Sequence, residues 1–290
     1  MRAEFLKARY GRVPQIVIVV LALGGLFTAS LFAFLPSMIG FLVSLNKVIP
    51  NATEAQKMSP ETLARLSFIE PGNQATVADF MGGSGLGTSL AAIGAAVLGA
   101  LLVTADFRFG GIARAALHHP QRTGLFLRKW AALSVWTAIL AVCLMVMHGL
   151  ILLGGLVAQG ESLRISLMAI VGLWIRGAFA LQVYATIGMA VGFLVRAQVP
   201  TLMILLGAAV VESILRPVAK LVFGDVNPAS LLPFGLAPDA VSGGLGPVIM
   251  PTQPALTVPV AFGVLLGWAL MAVGGALISF RRAELAFGPT

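Results

Sequence analysis

Apolar residues fall in six long blocks along the chain, at residues 15–45, 84–105, 130–157, 165–195, 200–221 and 255–280, separated by shorter polar intervals. Crossing the ~30 Å hydrocarbon layer as a helix takes about 20 predominantly apolar residues, so each block predicts one membrane span. The first would reach about 46 Å at ~1.5 Å per residue, and must tilt, kink near Pro36 or project beyond the membrane. It is also about twice the 7–15-residue apolar core of a secretory signal, and therefore reads as an anchor.

The intervals carry their own signals. Residues 1–14 place Arg2, Lys7, Arg9 and Arg12 against Glu4, interleaved with Phe5, Leu6 and Tyr10 and closed by Pro14. This predicts a short interfacial helix lying in the headgroup layer, apolar side down. Residues 46–82 form a polar interval in which Ser59-Pro60-Glu61 reads as a helix start. In the second block Ala91, Ala95 and Gly99 recur every fourth residue, as do Ala92, Ala96 and Ala100. Small faces of this kind let helix backbones approach closely in lipid. Residues 106–129 are polar and basic. Residues 223–254 are neither strongly polar nor a clean span, with six prolines from Pro228 to Pro254 and glycines at Gly235, Gly243, Gly244 and Gly246. Irregular backbone belongs at the interface, or in a short re-entrant segment shielded by protein.

Composition sharpens this picture. The 290 residues are 58% hydrophobic and only 10% charged, against about 25% charged in soluble domains. The bilayer must be part of the solvent, and the loops are too short for a second domain. The expected fold is therefore all-α, one polytopic transmembrane domain of six spans over 1–290. The net charge of +8 points to topology rather than to nucleic acid. Arg2, Lys7, Arg9, Arg12, Arg108, Arg114, Arg122, Arg128, Lys129, Arg196, Arg281 and Arg282 fall on one side of six crossings. Half as many, namely Lys47, Lys57, Arg65, Arg164, Arg216 and Lys220, fall on the other. The positive-inside rule then puts both termini in the cytoplasm. The single cysteine, Cys143, allows no disulfide framework and reads as a small hydrophobe in a span.

Few residues invite chemistry. Gly82-Gly83-Ser84-Gly85-Leu86-Gly87-Thr88-Ser89 resembles a phosphate loop, but Thr88 stands where the lysine would be. It reads as a loose entry to span two, and ATP binding by this chain is not expected. His118-His119-Pro120 has no further ligand cluster beside it, so no metal site is expected. His148, within span three, reads as a helix-contact residue or a pore-lining one. Arg176 in span four and Glu212 in span five, with Arg216 one turn later, are the informative charges. A charge near the bilayer centre costs at least about 2.5–3.5 kcal/mol and needs a partner or water. They line a path or helix interface, or Glu212 and Arg216 form a local pair at the outer membrane edge. No nucleophile–base constellation suggests an enzyme.

Three cytoplasmic stretches resemble those of ATP-binding-cassette (ABC) type-2 permeases, the membrane subunits of bacterial exporters. Ala3-Glu4-Phe5-Leu6-Lys7-Ala8-Arg9 is similar to an amphipathic opening frequent in actinobacterial members. Asp106-Phe107-Arg108-Phe109-Gly110-Gly111-Ile112-Ala113-Arg114, followed by Pro120, Arg122 and Lys129, resembles the segment after span two, with Asp106 for the usual Glu and Gly111 for the usual Thr. Phe280-Arg281-Arg282-Ala283-Glu284-Leu285 resembles the closing signature. The resemblance implies that 106–129 is a coupling segment docking on a separate ATPase. Glu4, Lys7, Asp106, Phe107, Arg108, Phe109, Arg114 and Arg122 would form that contact. Phe107 and Phe109 would fill a groove and the arginines would pair with acidic residues. It also implies two ATPase copies, which would hold ATP and Mg, a second membrane subunit, short external or re-entrant helices before span six, and a bacterial plasma-membrane location. No cofactor is expected in this chain. The function so implied is export of a hydrophobic or amphipathic substrate. An ion-coupled secondary transporter or a membrane-bound assembly factor, neither needing an ATPase, is the alternative.

Overall fold

The computed structural model describes residues 13–46, 67–81, 89–108, 110–112, 122–224, 227–242 and 256–282. Its helices, in chain order, are α1 (Val13–Asn46), α2 (Pro71–Ala78), α3 (Leu90–Arg108), α4 (Arg122–Gln159), α5 (Leu167–Val195), α6 (Gln198–Phe223), α7 (Leu236–Val241) and α8 (Val258–Arg282). Two 3-10 turns, Pro228–Leu231 and Pro233–Gly235, precede α7, and no strand occurs among the described residues. Six of the helices (α1, α3, α4, α5, α6 and α8) are long and apolar enough to cross a membrane. They are the six expected spans, in order. The expected interfacial helix over 1–14 lies almost wholly outside the described residues, as do Ser59-Pro60-Glu61 and His118-His119.

Boundaries shift for physical reasons. Helix α1 runs from Val13 through Pro36 to Asn46 without interruption. Span three begins at Arg122 rather than near residue 130. The extra turns are helical because Leu125, Phe126 and Lys129 are buried against the bundle. At 38 residues α4 is about 57 Å long, nearly twice the hydrocarbon thickness. Both ends of the expected 106–129 segment thus belong to span helices.

Helix α5 is the hub. It packs along α3 and against α8 and α4, and also touches α2, α6 and α7. The contact with α3 is backbone to backbone. A Cβ on Gly99 would fall 1.9 Å from the Ala185 carbonyl oxygen, and one on Gly188 would fall 1.8 Å from that of Ala96. Ala92, Ala95, Ala96 and Ala100 are fully buried in the same seam. Lipid tails are as apolar as leucine, so van der Waals contact between close backbones holds such helices together. The small faces of span two find their partner here.

Helix α2 was not expected from a polar stretch. Pro71 opens it in the first turn, where its missing N–H costs no hydrogen bond. Its flanking rings are seated by glycines, with Phe68 over Gly155 of α4 and Phe80 over Gly177 of α5. Gln74, fully buried, uses both ends of its amide. Its Nε2 donates to the carbonyls of Phe68 (2.7 Å) and Ser162 (3.0 Å), and its Oε1 accepts from the N–H groups of Arg164 (2.8 Å) and Ile165 (3.2 Å). One side chain therefore ties α2 to the turn between α4 and α5.

The outward faces are apolar. Phe27 on α1, Leu221 on α6 and Leu270 on α8 are 70%, 88% and 72% exposed. Water would tolerate such a surface poorly; acyl chains match it.

Candidate functional site

Two clusters stand out, one at each half of the bundle. The first is built on α6. Glu212 and Arg216 lie one turn apart on one face, which brings Arg216 Nε within 3.5 Å of Glu212 Oε1. The pair also reaches beyond its own helix. Glu212 accepts hydrogen bonds from the backbone N–H of Phe234 (2.9 Å) and from that of Gly235. Arg216 donates to the Ser230 carbonyl at 3.0 Å, and Asn227 Nδ2 donates to the Arg216 carbonyl at 3.2 Å. From α5, the Tyr184 hydroxyl donates to the Pro233 carbonyl at 2.5 Å. From α8, Trp268 Nε1 donates to the Leu231 carbonyl at 2.9 Å. Spans four, five and six thus grip one short irregular segment.

The grip follows from local chemistry. A 3-10 turn leaves N–H and C=O groups without helical partners, and away from water those groups must be satisfied by side chains. Glu212, 3% exposed, is a buried carboxylate stabilised by two N–H donors and a guanidinium. Gly235 is required by space: a Cβ there would fall 2.0 Å from the Arg216 guanidinium carbon.

The second cluster joins four spans at the end carrying Arg108, Arg122, Arg196 and Arg282. The Phe193 ring of α5 meets Phe107 of α3 at 5.9 Å, Phe126 of α4 at 5.1 Å and Phe280 of α8 at 5.0 Å. Lys129, 2% exposed, pairs with Asp106 across α3 and α4. Arg196, in a left-handed conformation after α5, donates to the Ser279 carbonyl (3.1 Å) and hydroxyl (3.0 Å). Arg281 donates to Thr123 at 3.1 Å.

The expected site residues divide accordingly. Asp106 and Phe107 turn into the bundle, one in an ion pair and the other against Phe193, while Arg108 is exposed at the end of α3. Arg122 is the first residue of α4. Glu4, Lys7, Phe109 and Arg114 lie outside the described residues. His148 is buried between α4 and α1: its Nδ1 donates to the Leu144 carbonyl at 2.9 Å, and a Cβ on Gly25 would lie 3.1 Å from its ring. It is a helix-contact residue. Glu212 and Arg216 come together; Arg176 joins neither of them. Of the glycine-rich stretch, Ser89 caps α3, its Oγ accepting from the Ala92 N–H at 3.1 Å and donating to the Met81 carbonyl. Among the described residues no group of three or more His, Cys, Asp or Glu could hold a metal.

Tyr184, Trp268 and Gln182 are not singled out in the sequence, and Lys129, which reads there as part of the basic segment, is a buried ion-pair partner. Gln182 donates to Ser134 at 3.0 Å and accepts from Thr137, a polar seam joining α5 to α4. A signal was present: a Tyr hydroxyl, Trp N–H or Gln amide inside an apolar block must find an acceptor within the protein. For Tyr184 and Trp268 the acceptors are backbone carbonyls, which no side-chain pattern marks.

Fold and clusters together define a multi-pass helical membrane protein. No protein-family model matches the chain, and no curated protein matches it.

Proposed function

We propose that this chain is the membrane permease subunit of an ATP-driven exporter, with its termini in the cytoplasm and its ATPase on a separate chain. The observation that carries the reading is the aromatic and ionic knot at the basic end. It lies where α3 leaves and α4 begins, next to the segment that resembles a coupling helix. A push on that segment enters spans two, three, four and six together, because Phe107, Phe126, Phe193 and Phe280 form one packed cluster. Packed interfaces transmit rigid-body motion rather than absorbing it.

The gripped segment supplies the other half of the proposal. Tyr184 lies about 26 Å along α5 from Leu167, Trp268 about 15 Å along α8 from Val258, and Glu212 about 17 Å from Phe223, at ~1.5 Å per residue. The turns they hold therefore dip well below the ends of three helices. In the proposed exporter they form a re-entrant plug that closes the outward exit between cycles. The apolar exposed faces then serve lipid and a second membrane subunit, and the cargo is hydrophobic or amphipathic.

With Phe107 packed inside, the proposed docking contact falls to Arg108 and Arg114. The chain extracted in mild detergent from its own cells should bring down a soluble ATPase while hydrolysing no ATP alone. Replacing Arg108 and Arg114 by Ala should abolish that association with membrane insertion intact. Recovery of the chain with no nucleotide-binding partner would favour the ion-coupled alternative.

A further inference from the structure

At the arginine-rich end of the bundle, several cations are held by the protein itself. Lys129 pairs with Asp106, Arg196 donates to Ser279, and Arg281 donates to Thr123. Arg128 is not held. It is exposed on α4, and no ion pair or hydrogen bond joins it to another described residue.

Its neighbours fix its height. Lys129, the next residue, pairs with Asp106 in the last turn of α3, and Phe126, two residues earlier, meets Phe193 in the last turn of α5. Counted from the other end, Arg128 stands about 46 Å along α4 from Gln159 at ~1.5 Å per residue. That is farther than the ~30 Å hydrocarbon layer is thick. Helical side chains lean toward the helix N-terminus, which for α4 is the Arg122 end, so the guanidinium leans away from the bilayer centre. Trp130, half a turn deeper, is 39% exposed and donates its indole N–H to Thr186 at 3.0 Å. Amphipathic rings of this kind settle at the membrane–water boundary. Arg128 therefore sits at headgroup height.

Below it the same face is apolar. At ~3.6 residues per turn, Val135, Ile139 and Val142 follow Arg128 along one side of α4, and all three are exposed. The stripe reaches about 21 Å below Arg128 at Val142, more than one leaflet's half of the ~30 Å hydrocarbon layer.

A guanidinium offers N–H donors in a planar fork that matches phosphate oxygens two at a time. We infer that Arg128 binds the phosphate of an anionic phospholipid in the leaflet at this end, with the acyl chains lying along Val135, Ile139 and Val142. A soluble phosphate would satisfy the guanidinium but leave the stripe unused, and a zwitterionic lipid brings its own cation beside the phosphate. Arg164, at the opposite end, has Glu161 at 3.5 Å as its counter-charge and offers no such site. Lipid binding at Arg128 needs neither an ATPase nor a transport direction, and so stands apart from the exporter reading.

Lipid titration followed by native mass spectrometry of the full chain tests the site, with phosphatidylglycerol and phosphatidylcholine as probes. The wild type should retain phosphatidylglycerol preferentially, and Arg128→Gln should weaken that retention about fivefold, the scale of one basic residue at an anionic surface. Arg164→Gln removes the same charge from the other end and should leave the preference unchanged. Excess glycerol phosphate, a headgroup without chains, should not displace the bound lipid. Equal retention by wild type and Arg128→Gln would overturn the site. An equal loss in Arg164→Gln would overturn it in favour of diffuse charge attraction, and displacement by glycerol phosphate would overturn the lipid assignment in favour of a soluble anion.

Discussion

Gly188 of α5 lies so close to Ala96 of α3 that a methyl group on it would fall 1.8 Å from the Ala96 carbonyl oxygen. The obstructing atom is backbone, which cannot swing aside as a side-chain end would. Gly99 stands in the same relation to the Ala185 carbonyl at 1.9 Å. Gly188→Ala should therefore force the two spans apart and cost at least about 1–3 kcal/mol, the usual range for overpacking. Gly154, whose added Cβ would meet nothing within 4 Å, is the matched control. Thermal unfolding in detergent should show a clearly lower midpoint for Gly188→Ala and little change for Gly154→Ala.

The grip on the turns before α7 makes a different prediction. Glu212→Ala leaves the N–H groups of Phe234 and Gly235 buried without their acceptor, at about 1–3 kcal/mol each. Tyr184→Phe removes one hydroxyl donor and should cost only about 1 kcal/mol. Gly235→Ala displaces the Arg216 guanidinium from both Glu212 and Ser230. Hydrogen exchange should rise in residues 228–241 for all three, in the order Tyr184→Phe below Gly235→Ala and Glu212→Ala. Equal protection in Glu212→Ala and wild type would remove Glu212 as the anchor.

Asp106 and Lys129 test the knot. Removing one partner of a buried ion pair strands the other charge, and typically costs about 3–5 kcal/mol. Lys129→Met and Asp106→Leu should each lower the melting midpoint strongly. The double variant should recover much of the loss, because two apolar groups replace the pair without a stranded charge. Additive losses in the double variant would show that the two residues act separately.

Six spans were legible because each is a sum over some twenty apolar side chains, which no single residue can mask. The small faces around Ala96 and Gly99 were legible as contact surfaces, since only small residues allow it; that α5 was the partner was not. Helix α2 stayed hidden because it is short and lies in a polar interval: its flanking Phe68 and Phe80 are seated over glycines more than eighty residues away. Asp106 and Phe107 read as outward-facing because the apolar block of span two ends at Ala105. The helix continues through both, and one further turn rotates them inward. The pairing of Glu212 with Arg216 was visible from their spacing, whereas the turns they hold depend on main-chain groups that every sequence possesses.

The account depends most on which side of the membrane carries the basic segment between α3 and α4. A single cysteine at Arg114, in a chain with Cys143 replaced by Ala, can be challenged in intact cells with a thiol reagent that does not cross membranes. The expected result is no labelling until the membrane is permeabilised, placing the segment within reach of a cytoplasmic ATPase. Full labelling from outside would invert the topology and contradict the exporter reading.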